Sequence, residues 1–261
     1  MSVRVLVDVL SLSRIPIAAA ATRRAAPDAD AQAGADGARP LSEVAGEVRL
    51  PVNQRALPTI GRLAREGRLE LCTYAEICGT PSTAGRRGTV LGLLGDVTIA
   101  TVEPAIDRAA IDSDVFRDAA QSGALLRFCT RVKSGHQGLE QLPIEIVARL
   151  PDTTRRGLAS LHRFRELAAR TQGEHLVDLF HLWTGELAGC DYLLAMDGGI
   201  EAFLAGRVRP SLDEPLHCNP IEPEDLLVAL QVEERDPPPV MAGTVVSLDS
   251  PRGPHGRGHL S

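Results

Sequence analysis

The sequence predicts an α/β fold built on a mainly parallel central sheet. Short apolar runs at 3–7, 69–72, 192–196 and 216–221 alternate with longer stretches of helical periodicity, the pattern of strands joined by helical crossovers. Acidic residues stand at the ends of several runs, where ligand sites form in such sheets. The 261 residues, 44% hydrophobic and 24% charged, are enough to bury one sizeable core without staples. Aromatics are only 3%, so that core falls to Ala, Val, Leu and Ile.

The elements follow in order. Val3-Arg4-Val5-Leu6-Val7 is rich in β-branched residues and ends at Asp8, which reads as a buried strand. Residues 18–46 are dominated by Ala, Asp, Gly and Arg, with Pro27 and Pro40, and have little to bury; a loose insertion is expected. Helical periodicity returns at 57–65, and a strand at 69–72 leads straight into Thr73-Tyr74-Ala75-Glu76. The glycine-rich stretch 79–95, with Arg86 and Arg87 at its centre, is expected to be a mobile loop. Residues 97–102 read as a strand, and 112–132 and 143–150 as partly helical, the second stopped by Pro151. One helix is expected over 153–171 and another over 174–188. The run 190–197 reads as a buried strand ending in a turn at Asp197-Gly198-Gly199, and a strand at 216–221 precedes a helix at 222–231. Prolines at 237–239 and the composition of 251–259 predict a disordered tail from 233, leaving one domain over 1–232.

The net charge of −6, from 28 basic and 34 acidic residues, excludes a generic basic nucleic-acid coat but leaves room for a local basic groove. Lys133 is the single lysine. No apolar stretch is long enough to span a bilayer. Asp8 and Arg14 interrupt the N-terminal apolar run and argue against export. The five cysteines are odd in number and form no C-x-x-C pair, as expected of reduced thiols in a cytoplasm. Phosphate-cradling glycine loops, nucleophile elbows and zinc-binding spacings are missing.

Four carboxylates stand where one sheet edge would gather them. Asp8 ends the first strand, Asp197 ends the 192–196 strand, Glu76 lies one turn beyond the 69–72 strand, and Asp178 lies near the start of the 174–188 helix. Clustered carboxylates repel unless a cation sits among them, and hard oxygen ligands suit Mg²⁺ or Mn²⁺. Such a metal activates water and stabilises charge on a phosphoryl group. Each acid also has a local reading. Thr73-x-x-Glu76 has capping-box spacing, Asp197 suits a turn, and Asp178 lies opposite the stripe Leu176, Phe180, Trp183, Leu187.

In four pieces the sequence resembles the PIN-domain nucleases. Val5-Leu6-Val7-Asp8 is similar to their opening strand and first acid, and 69–76 to their second strand and acid-bearing helix. The segment 177–184 followed by 189–197 is similar to the part that holds their third and fourth acids. Residues 220–227 are similar to their final strand and closing helix. About 79–170 is unmatched. The resemblance implies a three-layer α/β/α sandwich and a bacterial metal-dependent ribonuclease. Asp8, Glu76, Asp178 and Asp197 would be catalytic, and Asp8, Asp178 and Asp197 would hold Mg²⁺ or Mn²⁺. Glu174 and His181 would stand behind them. It also implies a homodimer and an antitoxin-like protein partner. Two positions depart from the family pattern. Leu10 replaces a common Asn, and Ala195-Met196 replace a common Ser or Thr, so groups that orient metal-bound water are lost.

Arg156, Arg163 and Arg170 fall at seven-residue steps in the expected 153–171 helix and would form one stripe. Arg127, Arg131 and Lys133 form a second basic cluster. Guanidinium forks suit phosphate contacts, so the stripe is expected to guide single-stranded RNA to the acidic rim. The competing expectation is a non-catalytic PIN-like module that binds RNA or a protein.

Overall fold

Strand β1, Val3–Val7, is the centre of the molecule, with Val5, Leu6 and Val7 fully buried. Three successive apolar residues buried at the end of the strand are what a parallel strand covered on both faces requires. The computed structural model describes residues 2–9, 12, 20–21, 48–78, 89–108, 123–135, 142–173, 175–196 and 199–237. A two-stranded antiparallel ribbon joins β2, Ala20–Ala21, to β3, Val48–Arg49. Helix α1, Val52–Arg65, leads to β4, Leu69–Thr73, and the short α2, Ala75–Cys78. Then come α3, Val90–Leu93, and β5, Ala100–Thr101. A helical layer follows: α4, Ala124–Lys133; α5, Ile144–Val147; α6, Asp152–Ala159; α7, Leu161–Ala168; and α8, His175–Ala188. The chain closes with β6, Tyr192–Leu194, α9, Gly199–Phe203, a π-helical turn Leu204–Val208, β7, Asn219–Ile221, and α10, Pro223–Ala229.

The main sheet has five strands, all parallel, in the order β5-β4-β1-β6-β7. Side chains alternate between its faces. Val5, Val7 and Leu71 point into one core with Leu57, Ile60 and Leu63 of α1 and Leu226 and Leu227 of α10. Leu6, Cys72 and Leu193 point into the other, with Phe128, Phe164, Phe180 and Trp183 from α4, α7 and α8. Two apolar layers on one sheet make the three-layer α/β/α sandwich. Gly157 lets α6 press on the backbone at Ala105, because a Cβ there would stand 1.9 Å from the Ala105 carbonyl oxygen.

The topology also fixes where a crevice opens. Helix α1, after β1, packs in one layer, whereas α8 before β6 and α9 after it pack in the opposite layer. The chain therefore leaves β1 toward one face and β6 toward the other. Adjacent strands with diverging exits leave a gap at their carboxyl ends, the switch point where α/β sheets bind ligands.

Several expected elements differ. The 153–171 helix is two helices. At Ser160 the backbone turns to φ −107°, ψ 24°, and the Ser160 hydroxyl donates back to the Arg156 carbonyl (2.9 Å). That side-chain bond offers the backbone an alternative to the helical ladder. The strands at 97–102 and 216–221 shrink to two and three residues. Helix α1 begins at Val52, five residues before the expected start, and α3 occupies part of the expected loop 79–95. The start of the expected tail stays on the domain. Val232 is buried, and Asp236 is held by Arg62 (2.8 Å) and by its own N–H on the Thr59 hydroxyl (2.7 Å). Residues 238–261 and most of 18–46 lie outside the described residues.

Candidate active site

The chain turns as soon as β1 ends. The Leu12 N–H donates to the Asp8 carbonyl (3.0 Å), so Asp8 starts a helical turn at the carboxyl edge of the sheet. There it lines a cavity of about 370 Å³ with Asp178 and His181 of α8, His175, and the chain leaving β6 from Leu193 to Met196. This is the β1/β6 switch point. Helix α8 reaches it because Leu176, Phe180 and Trp183 bury its other side, turning Asp178 outward to the rim.

Two histidines set the electrostatics. His175 Nδ1 lies 3.1 Å from Asp178 Oδ2, and its ring stacks on Phe203 with centroids 4.3 Å apart and planes 11° from parallel. His181 is buried at 5% exposure, and its Nδ1 shares a hydrogen bond of 2.5 Å with the Tyr74 hydroxyl. Burial holds the His181 imidazole below its usual range; the negative charges of Asp8 and Asp178 act in the opposite direction. The ring is therefore neutral near pH 7. When Tyr74 donates to Nδ1, the ring proton sits on Nε2.

The sequence-predicted acids are placed unequally. Asp8 and Asp178 share the cavity. Glu76 stands on α2, directly after β4 and at the same sheet edge, but its side chain lies outside the described residues. Asp197, Leu10 and Glu174 also lie outside them. The capping box is absent: the Thr73 hydroxyl is buried without a hydrogen-bond partner. Asn53 was not apparent from the sequence. From the first turn of α1 it donates to the Met196 carbonyl (3.2 Å) and to Glu222 (2.8 Å), pinning the backbone just before Asp197. Tyr74 also gave no signal, since a lone tyrosine after a strand reads as core. Ala195 and Met196 line the cavity as apolar wall.

The arginine stripe does not form. The break at Ser160 puts Arg156 on α6 and Arg163 on α7, with Arg170 beyond the end of α7. Arg163 is buried. It donates to both Glu186 oxygens (2.9 and 3.1 Å), to Glu166 (2.9 Å) and to the Glu214 and Pro215 carbonyls (3.0 and 2.8 Å). Its donors are spent inside the protein, so the substrate role expected for it is withdrawn. Arg156 is exposed and contacts Thr153 (3.3 Å). Arg170 is exposed and lines a second cavity beside the first.

Among the described residues no group of three or more His, Cys, Asp or Glu is arranged to hold a metal. Two carboxylates on one cavity are nonetheless the donor set with which Mg²⁺ is commonly held, water completing its shell. Asp8 and Asp178 supply oxygen donors of the kind that hard cation takes. No helix among the described residues is long and apolar enough to cross a membrane. No protein-family model, no curated protein and no solved structure matches the chain.

Proposed function

We propose that the chain is a metal-dependent endoribonuclease that hydrolyses phosphodiester bonds of single-stranded RNA at the β1/β6 crevice. The observation that supports this most is the meeting of Asp8 and Asp178, from elements 170 residues apart, on one cavity at the topological switch point. Asp8 and Asp178 would hold Mg²⁺ or Mn²⁺, with Asp197 and Glu76 the further acids proposed for the same edge. When bound, the cation supplies a Lewis acid for the phosphoryl oxygens and lowers the pKa of bound water. The protein's part is placement. His175 fixes the Asp178 carboxylate, Tyr74 fixes the His181 ring, and Asn53 fixes the loop before Asp197. With its proton on Nε2, a neutral His181 can donate a hydrogen bond at the cavity wall.

A second reading, a non-catalytic PIN-like module that binds RNA or a protein, draws on the apolar wall formed by Leu193, Leu194, Ala195 and Met196. One experiment separates the two. Purified protein is incubated with mixed-sequence single-stranded RNA in Mn²⁺ or in EDTA, with Asp8→Asn and Asp178→Asn in parallel. The nuclease reading expects Mn²⁺-dependent cutting that both variants lose. It also expects thermal stabilisation by Mn²⁺, about 2.7 kcal/mol at a hundredfold excess over Kd, in the wild type only. Cutting that survives in both variants, or no Mn²⁺ effect on either readout, would overturn it in favour of the module.

A further inference from the structure

Beside the acidic cavity lies a second one of about 610 Å³, lined by Lys133, Ala169, Arg170, Gln172, His175, Phe203 and Arg207. Three separate segments build it: the last turn of α4, the turn after α7, and the π-helical turn after α9. Among the described residues no carboxylate lines it, in a protein whose net charge is −6. Arg170 and Arg207 are exposed, and neither has an ion pair or hydrogen bond among the described residues. Lys133 is oriented by donating to the Thr171 carbonyl (2.6 Å) and, as an ammonium, keeps two further protons to donate. His175 lines both cavities, so the basic one opens next to the acidic one.

Three cations with no acid among the described residues of the same wall repel one another, and an anion in their midst relieves that repulsion. A polyanion with an aromatic component suits this site better than a simple ion, because Phe203, braced by its stack on His175, stands in the same wall. Guanidinium forks take phosphate oxygens and aromatic rings take bases, the combination that holds single strands without sequence preference. We propose that this cavity binds the phosphates of a single-stranded RNA flanking the scissile bond, with Lys133, Arg170 and Arg207 as the phosphate contacts and Phe203 as the base platform. The proposal rests on the nuclease reading for the identity of the polymer. It replaces the arginine stripe, of which only Arg170 is retained.

The test measures binding apart from cutting. A fluorescein-labelled 12-nucleotide single-stranded RNA is titrated with the full chain in EDTA at several salt concentrations, for wild type and Arg170→Ala/Arg207→Ala. Both side chains are exposed, so the variant's melting curve should match the wild type. The site is supported if the variant binds roughly tenfold or more weakly and its log K against log salt slope is shallower by about 1.4, two contacts' worth on a single strand. Phe203→Leu should weaken binding without changing the slope. Equal affinity and slope in wild type and double variant would overturn the site, as would no binding by the wild type. Mn²⁺-dependent cleavage is assayed on the same preparations. Asp8-dependent cutting with unchanged binding removes the pocket alone, and binding that needs the arginines without any cutting removes the nuclease reading alone.

Discussion

Two basic regions lie in the helical layer over the β1/β6 side of the sheet, and they handle positive charge in opposite ways. At Arg163 the guanidinium is 9% exposed and meets Glu186, itself 7% exposed, in a two-pronged pair, with Glu166 and two carbonyls taking further N–H groups. At Lys133, Arg170 and Arg207 the charges gather around a cavity with no acid among the described residues of its wall. The first region is closed: one interaction stays within α7, at Glu166, and the rest tie α7 to α8 or to the loop before β7. The second has charge to spare and open space beside it. A cation that the fold neutralises is part of the fold, and one that it leaves unpaired beside a cavity is available to a ligand.

The largest effect that sharpens this contrast is on stability. Arg163→Ala strands Glu186 as a buried charge, and loss of one partner from such a pair costs about 3–5 kcal/mol. Urea unfolding should show that loss, with RNA affinity of the folded protein unchanged. Arg163→Ala/Glu186→Gln should recover part of it, since the stranded charge is then gone. A loss under about 1 kcal/mol would break the comparison, because Arg163 would then behave as a surface residue. Arg170→Ala/Arg207→Ala is the counterpart. These exposed side chains have no partner among the described residues to strand, so stability should stay within about 0.5 kcal/mol. A drop several times larger would show that the two regions do not differ in kind.

The comparison also shows which parts of the molecule the sequence could disclose. Strand β1 was legible because Val5, Leu6 and Val7 are buried on both faces, which a β-branched run announces by itself. Asp8 was legible for the same reason: a charge ending such a run has only the sheet edge to occupy. Asp178 followed from its place near the start of the helix that feeds β6, whose N-terminus points to the same sheet edge, while the stripe of Leu176, Phe180 and Trp183 alone spoke only for an exposed face. The stripe of Arg156, Arg163 and Arg170 was misjudged because helical spacing assumes an unbroken helix, and the backbone leaves the helix at Ser160, whose hydroxyl bonds back to Arg156. No local pattern marks a serine that does this. Nor does one mark Asn53 reaching the Met196 carbonyl across 143 residues, or Tyr74 reaching His181 across 107. These contacts exist only once the sheet order brings β4, β1 and β6 side by side. The basic cavity was hidden for the same reason, its three cations coming from three segments.

The smallest effect concerns Glu166, the more exposed acid at Arg163. Its burial favours the neutral carboxyl, but hydrogen bonds from the Asp213 N–H and Arg163, with the charge of Arg163 and the Glu214 N–H, outweigh burial and hold its pKa below the usual glutamate value. A carboxylate whose pKa is lower in the folded state than in the unfolded one binds fewer protons when folded. Its contribution is therefore fully present above the unfolded value of about 4.3. It is lost as pH falls from there through the folded pKa. Glu166→Gln should be less stable than wild type at pH 6, and urea unfolding at pH 6, 4 and 3 should show the gap narrowing only in the last steps. A gap that stays constant down to pH 3 would mean that Glu166 acts through its shape and hydrogen bonds rather than its charge. The closed region would then owe its charge pairing to Glu186 alone.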